Sequence, residues 1–299
     1  MINKSFFFVR KIIYRFIPKA LINKLYSKLP KYLKVRIFKL NSFFYDNNSG
    51  HGEFLIVREL LNKIDSNKFY VDIGASDGFS SSCTFPFAKD KSYSGVSIEL
   101  DEEKFIKLKF LYKNFTNVKT LQNKVTPKNV EKIFIDSEVP KNFSFLNIDI
   151  DSYDLEVLEN LLICNYKPDV ISIEINEKIP PPIVFEVLFD EQHFWKGDHF
   201  YGCSISAASK KIKPFGYKLY KISYNNAIFI NKLKFLTTND KSDKEAYEDG
   251  YLNKNDRKEL FSYNSDFEKI FKLSNEEQIN FVNKKFKKYK GMYSLYFES

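Results

Sequence analysis

The sequence predicts an α/β fold, a doubly wound and mostly parallel sheet that binds ligands at the carboxyl ends of its strands. Three observations predict it. Residues 69–78, Phe-Tyr-Val-Asp-Ile-Gly-Ala-Ser-Asp-Gly, read as a strand broken by a glycine loop. Strand-type and helix-type runs then alternate as far as residue 175. Glu99 ends the next strand-type run, roughly 20 residues past the loop, where an acid that holds ribose hydroxyls is expected.

Each element follows from its own residues. Residues 53–64 read as a helix leading into the first strand, where Phe69, Tyr70, Val71 and Ile73 favour extended backbone. Gly74 and Gly78 can take φ > 0 and let a ligand approach the backbone, while Ser80 and Ser81 offer capping oxygens to a helix just beyond. Free N–H groups at such a turn suit a nucleotide-like ligand. Residues 93–99 form the second strand and 102–115 a helix; 118–122 is a strand, 129–135 a short helix, and 143–149 the fourth strand. Residues 155–163 are helical and 170–175 make a fifth strand. After a loop over 176–202 and a helix over 204–213, residues 217–222 and 227–230 form an antiparallel hairpin around Tyr224-Asn-Asn.

A dinucleotide fingerprint needs a glycine where Ser76 stands. The spacing Asp72-x-Gly74-x-x-x-Gly78 instead resembles motif I of class I S-adenosylmethionine (SAM) dependent methyltransferases. That resemblance implies a Rossmann-like seven-stranded sheet closed by the hairpin, with Asp72, Gly74, Ser76, Gly78, Glu99 and Asp149 at the cofactor.

Charge divides the chain. The net charge is +9 over 299 residues, yet residues 1–45 hold eleven basic residues and no acid, so the remainder is close to neutral. Phe6, Val9, Ile13 and Phe16, then Leu21, Leu25 and Leu29 after Pro18, fall at helical spacing. The apolar runs are too short to span a bilayer, and no cleavage site follows them. The expected domains are a basic amphipathic helical arm over 1–46, a catalytic domain over 47–236 begun by the turn-rich linker 47–52, and a helical appendage over 237–299. The arm either lies on an anionic membrane surface, which places the protein in the cytoplasm at the inner face of the membrane, or packs on the catalytic domain. Cys83, Cys164 and Cys203 lack C-x-x-C spacing, which excludes a disulfide framework and a thiolate zinc site.

Carboxylates crowd the end of the fourth strand in Asn147-Ile-Asp-Ile-Asp-Ser-Tyr-Asp154. If strand geometry persists, Asp149 and Asp151 face one side. Such a pair can hold a hard cation or divide into ligand and general base; alternatively Asp151 caps the next helix. Glu174 and Asn176 alternate onto one face of the fifth strand's end and can add oxygen ligands. In the following loop Trp195 and Tyr201 offer flat faces for a sugar ring, and His199 ranks above His193 and His51 as a proton acceptor.

Residues 145–158 together with 71–78 resemble the FkbM-type methyltransferases, over about residues 50–232. The fourth-strand block is also similar to that of metal-dependent macrocin-type sugar O-methyltransferases, which implies Asp149 as magnesium or manganese ligand and Asp151 as base. Two adjacent aspartates that this second pattern supplies after the fifth strand are replaced here by Glu174-Ile-Asn176. The resulting expectation is a SAM-dependent O-methyltransferase acting on a sugar hydroxyl of a sugar nucleotide or surface-glycan precursor. An RNA methyltransferase using the basic arm and a non-enzymatic membrane or partner-binding module are the alternatives; no N-P-P-Y motif follows the fourth strand, which disfavours nucleic acid.

Overall fold

The computed structural model describes residues 49–297. The two helices expected in the basic arm lie outside them. The seven-stranded sheet is built from β1 (Phe69–Ile73), β2 (Ser94–Glu99), β3 (Val118–Gln122), β4 (Asn142–Ile148), β5 (Lys167–Glu174), β7 (Tyr217–Ser223) and β8 (Asn226–Asn231). Its order is β3-β2-β1-β4-β5-β8-β7. The first five strands run parallel, and β8 returns antiparallel against β5. This is the Rossmann-like, seven-stranded sheet closed by an antiparallel hairpin that the sequence predicts.

Alternation along the strands explains why both faces are covered. Val71, Ile73, Leu146, Ile148, Ile171 and Ile173 point into one apolar layer, while Tyr70, Phe145, Val170 and Ile228 point into the other. Central strands covered on both faces are buried along nearly their whole length, as β4 and β5 are after their first residue. The helices begin where local chemistry permits. Asp101 accepts the Lys104 N–H at 2.8 Å to open the helix Glu102–Tyr112, whose first turn carries Glu102 and Glu103. Ser204 opens Ile205–Ile212 by accepting the Ala207 N–H.

Two features depart from expectation. Ser80 and Ser81 cap no helix: Ser80 binds the Asp77 carboxylate, and the next helix, Phe85–Lys89, starts after Thr84, with Ser82 Oγ accepting the Phe85 N–H. The 176–202 segment contains strand β6 (Ile183–Val187), which pairs antiparallel with β9 (Tyr293–Phe297). Residues 237–297 are thus a mixture of short helices and one strand, and Phe267, Ile270, Phe281, Val282 and Phe286 bury themselves against β6 in a third core cluster. A capping box at Ser274 and Glu277 starts the longest helix there, Asn275–Lys285. No helix among the described residues is long and apolar enough to cross a membrane.

Candidate active site

Two cavities open at the carboxyl ends of the parallel strands. The first, about 860 Å³, is lined by the 72–76 loop, Glu99, Asp149, Asp151, His51 and His193 among others. Gly74 sits at φ 86°, and a Cβ there would lie 1.7 Å from the Asp149 carbonyl oxygen. Its glycine is demanded by the packing of β1 against the end of β4 rather than by a ligand. Gly78, at φ 74°, faces Leu108, which would lie 2.5 Å from an added Cβ. Asp72 is buried at the end of β1; one oxygen accepts the Asn147 side-chain N–H at 2.9 Å and the other the Thr84 hydroxyl. It ties the loop to β4. Glu99 accepts the Ser76 N–H and the Asp101 N–H, each at 2.7 Å. A carboxylate has about four lone-pair sites, so Glu99 can still accept from ribose hydroxyls while bracing the loop.

Burial raises the carboxyls of Asp72 and Asp154 to about 6. The folded state therefore holds these protons more tightly than the unfolded chain, and their contribution to stability is lost as pH rises from the ordinary carboxylate range to about 6. Melting temperature should fall across that window, and Asp72→Asn, which removes one of the two charges, should flatten the slope. An unchanged slope in the variant would place the effect elsewhere.

The second cavity, about 510 Å³, is lined by Asp151, Glu174, Trp195, His199, Tyr201 and Tyr263 among others. Asp151 and Trp195 line both cavities. Strand geometry does not reach Asp151. β4 ends at Ile148, Asp149 is held by its N–H to the Ile73 carbonyl at 2.9 Å, and Asp151 adopts left-handed backbone at φ 53°, which aspartate tolerates better than most residues. Bracing of the turn falls to Asp154, whose oxygens accept the Ile150 and Ser152 N–H groups at 2.7 and 2.9 Å. Asp151 is thereby released from capping.

Carboxylate oxygens of Asp149, Asp151 and Glu174 all lie within 4.8 Å of one another. Burial, and then the neighbouring carboxylates, push Asp149 and Glu174 well above the carboxylate range; burial also raises Asp151, against the pull of Lys104. Glu174 Oε1 accepts from Asn225, whereas its buried Oε2 has no hydrogen-bond partner. Three convergent carboxylates, one of them carrying an orphaned buried oxygen, fit a hard divalent cation. Asn176 donates its amide to the carbonyls of His199 and Tyr201 at 2.9 Å, leaving its buried Oδ1 without a partner.

Residues that no spacing in the sequence foretold surround the second cavity. Glu177 and Lys178 are fully buried: the Tyr201 hydroxyl donates to Glu177 at 2.7 Å and accepts from Lys178 Nζ at 2.6 Å. Asn264 donates to the same Glu177 carboxylate at 2.6 Å. His199 Nε2 lies 3.2 Å from Asp266, and burial together with Lys178 lowers its pKa. The only sequence signal for the first two was a charged pair set between Ile175 and Ile179. Tyr263, Asn264 and Asp266 arrive from a segment about which sequence periodicity was silent.

Residues 109–195 match the family model described as the methyltransferase FkbM domain. Over this stretch, less than a third of the chain, the sequence is similar to the FkbM methyltransferase domain. The match includes Asp149, Asp151, Glu174, Asn176 and Trp195 and leaves out the loop after β1. No curated protein matches the sequence. Solved structures similar to this chain include a protein from Klebsiella pneumoniae assigned as an O-methyltransferase, at 14% identity and a TM-score of 0.41, covering 74% of this chain and 95% of that one. A SAM dependent methyltransferase from Aquifex aeolicus shares 12% identity, with coverages of 61% and 91% and a TM-score of 0.34. The N-terminal domain of EvdMO1, crystallised in the presence of SAH and D-fucose, shares 10%, with coverages of 70% and 76% and a TM-score of 0.30. At such identities and scores, the roles of individual residues rest on the geometry of this chain.

Proposed function

We propose that this chain is a SAM-dependent methyltransferase of the FkbM type that methylates a hydroxyl of a sugar, carried by a sugar nucleotide or a surface-glycan precursor. The observation that carries this reading is that Asp151 and Trp195 line both cavities. A carboxylate at the junction of a cofactor cleft and an aromatic-walled acceptor cavity stands where a hydroxyl proton must be removed as its oxygen meets a methyl group. SAM would supply that methyl from its sulfonium, whose sulfur departs as a neutral thioether and needs no protonation. The loop of residues 74–78 and Glu99 would hold it. Asp151 takes the hydroxyl proton, and Trp195 orients the ring. Asp149 and Glu174 would hold magnesium or manganese, whose charge would lower the pKa of the acceptor hydroxyl. An RNA backbone would meet the carboxylates of the second cavity, which supports the sugar over the nucleic-acid alternative.

The test is mass spectrometry of the full chain incubated with SAM and a panel of sugar nucleotides and glycosides. A mass gain of one methyl on a sugar oxygen is expected; methylation at nitrogen alone overturns the reading. SAH should raise the melting temperature and NAD should not.

For the arm, residues 1–45, we infer contact with anionic membrane at the cytoplasmic face, supported by its eleven basic residues. A chain starting at Asn47 should retain turnover on a soluble acceptor and lose salt-sensitive binding to phosphatidylserine vesicles. Equal vesicle binding by both chains would remove the arm from that role.

A further inference from the structure

The first cavity crosses the sheet edge from one side to the other. The carboxyl ends of the parallel strands stand in the order β3-β2-β1-β4-β5, and β8 begins beside β5, where Asn226 pairs with Glu174. Residues 123–125 line the cavity beyond β3, Glu99 beyond β2, the 72–76 loop beyond β1 and Asp149 beyond β4, while Asn225, Asn226, His51 and Glu53 line its other end. Among the described residues the lysines that line it are Lys104 and Lys124, which follow β2 and β3. The Glu53 end has no such cation. Glu53 itself is 3% exposed, and its oxygens accept the His51 backbone N–H and the Asn226 side-chain N–H, each at 3.1 Å. Both donors are neutral, and no lysine, arginine or histidine side chain among the described residues pairs with it. Two of about four lone-pair sites and the whole charge of this carboxylate are thus left for a ligand. Burying a carboxylate costs far less once a hydrogen-bonding cation meets it.

The arms of a sulfonium decide which part of SAM comes here. Its sulfur carries an adenosyl group, the methyl and an aminocarboxypropyl chain. With the ribose at Glu99 and the methyl directed at Asp151, where the two cavities join, the first two arms lie towards β2 and the second cavity. The third takes the remaining end of the first cavity, past β4, and that chain terminates in an ammonium and a carboxylate. Asp72 is a buried carboxylate too, but it stands on β1, between the ribose and methyl positions, and its oxygens tie β1 to β4. We propose that Glu53 receives the α-ammonium group of SAM, held in place from the closing hairpin by Asn226. The proposal rests on the SAM-dependent reading and deepens it. The turn-rich segment before the helix Glu53–Leu61 then becomes part of the cofactor site.

The experiment measures binding of three ligands to the full chain by calorimetry: SAH, its deaminated analogue, and 5′-methylthioadenosine, which keeps the adenosyl thioether and lacks the amino-acid end. SAH should bind about ten-fold or more tighter than either, since both lack the charged donor that meets Glu53. Glu53→Gln should weaken SAH by about that factor and bring it level with its deaminated analogue. Unchanged binding of 5′-methylthioadenosine in the variant shows that the cavity remains folded, and Glu53→Asp, which keeps the charge on a shorter arm, should recover part of the gap. If Glu53→Gln fails to fold, the native chain still decides, because equal affinity for SAH and deaminated SAH overturns the proposal. A gap that persists in Glu53→Gln and vanishes in Asp72→Asn moves the ammonium to Asp72 and overturns it as well. Both of these outcomes leave SAM as the methyl donor. If none of the three ligands binds, the SAM-dependent reading falls, and this proposal with it.

Discussion

Replacing Asp151 with asparagine should lower turnover about 10²-fold or more while leaving the SAH-induced rise in melting temperature intact. The substitution keeps the size of the side chain and tolerates the left-handed backbone at φ 53°. What it removes is the proton acceptor at the junction of the two cavities. No helix cap is lost with it, because Asp154 accepts both N–H groups of the turn. A capping role for Asp151 would predict a loss of stability with turnover retained, the opposite pattern. Near-native turnover in Asp151→Asn would transfer the role of base to His199, which lines the acceptor cavity and lies 3.2 Å from Asp266. Chelation by EDTA provides the second arm. If the carboxylate cluster holds a cation, EDTA should abolish most activity and magnesium or manganese should restore it, with Glu174→Gln raising the metal concentration needed. Indifference to EDTA would leave the three carboxylates as acceptors for substrate hydrogens alone.

Gly74→Ala should destabilise the fold by about 2–5 kcal/mol and eliminate the SAH-induced thermal shift. Two costs combine there. An L side chain at φ 86° is strained, and its Cβ would stand 1.7 Å from a backbone oxygen of Asp149, so the ends of β1 and β4 must separate. Backbone cannot rotate aside as a flexible side chain would. That separation displaces Asp149 and, with it, the cluster it shares with Asp151 and Glu174. Gly216 provides an internal control. Its φ is 89°, nearly the same, and nothing lies within 4 Å of an added Cβ, so Gly216→Ala reports strain alone, about 1–2 kcal/mol. Equal losses for the two variants, measured by chemical denaturation, would show that the close approach of β4 carries no energetic weight.

The sequence alone determined the elements whose signals are local. β1, β2, β4 and β5 announce themselves as apolar runs, Gly74 breaks the first of them, and Asn225-Asn226 turns the closing hairpin, because strand periodicity and turn chemistry act over a few neighbouring residues. Doubly wound topology then brings the carboxyl ends of the parallel strands to one edge, which makes Glu99, Asp149, Asp151 and Glu174 legible as a group from the sequence. Local periodicity could not show what completes the acceptor cavity. β6 follows Pro180-Pro181-Pro182 and reads as part of a stiff loop, for a five-residue strand becomes stable only with its partner β9, about a hundred residues downstream. Tyr263, Asn264 and Asp266 reach the site only because Phe267, Ile270 and Phe286 bury their rings and side chains against β6, a long-range apolar contact with no local pattern. Tertiary structure likewise decided the task of Asp151. Strand alternation predicts the direction of a side chain only while the strand lasts, and it was the turn beyond Ile148, braced by Asp154, that set Asp151 between the two cavities.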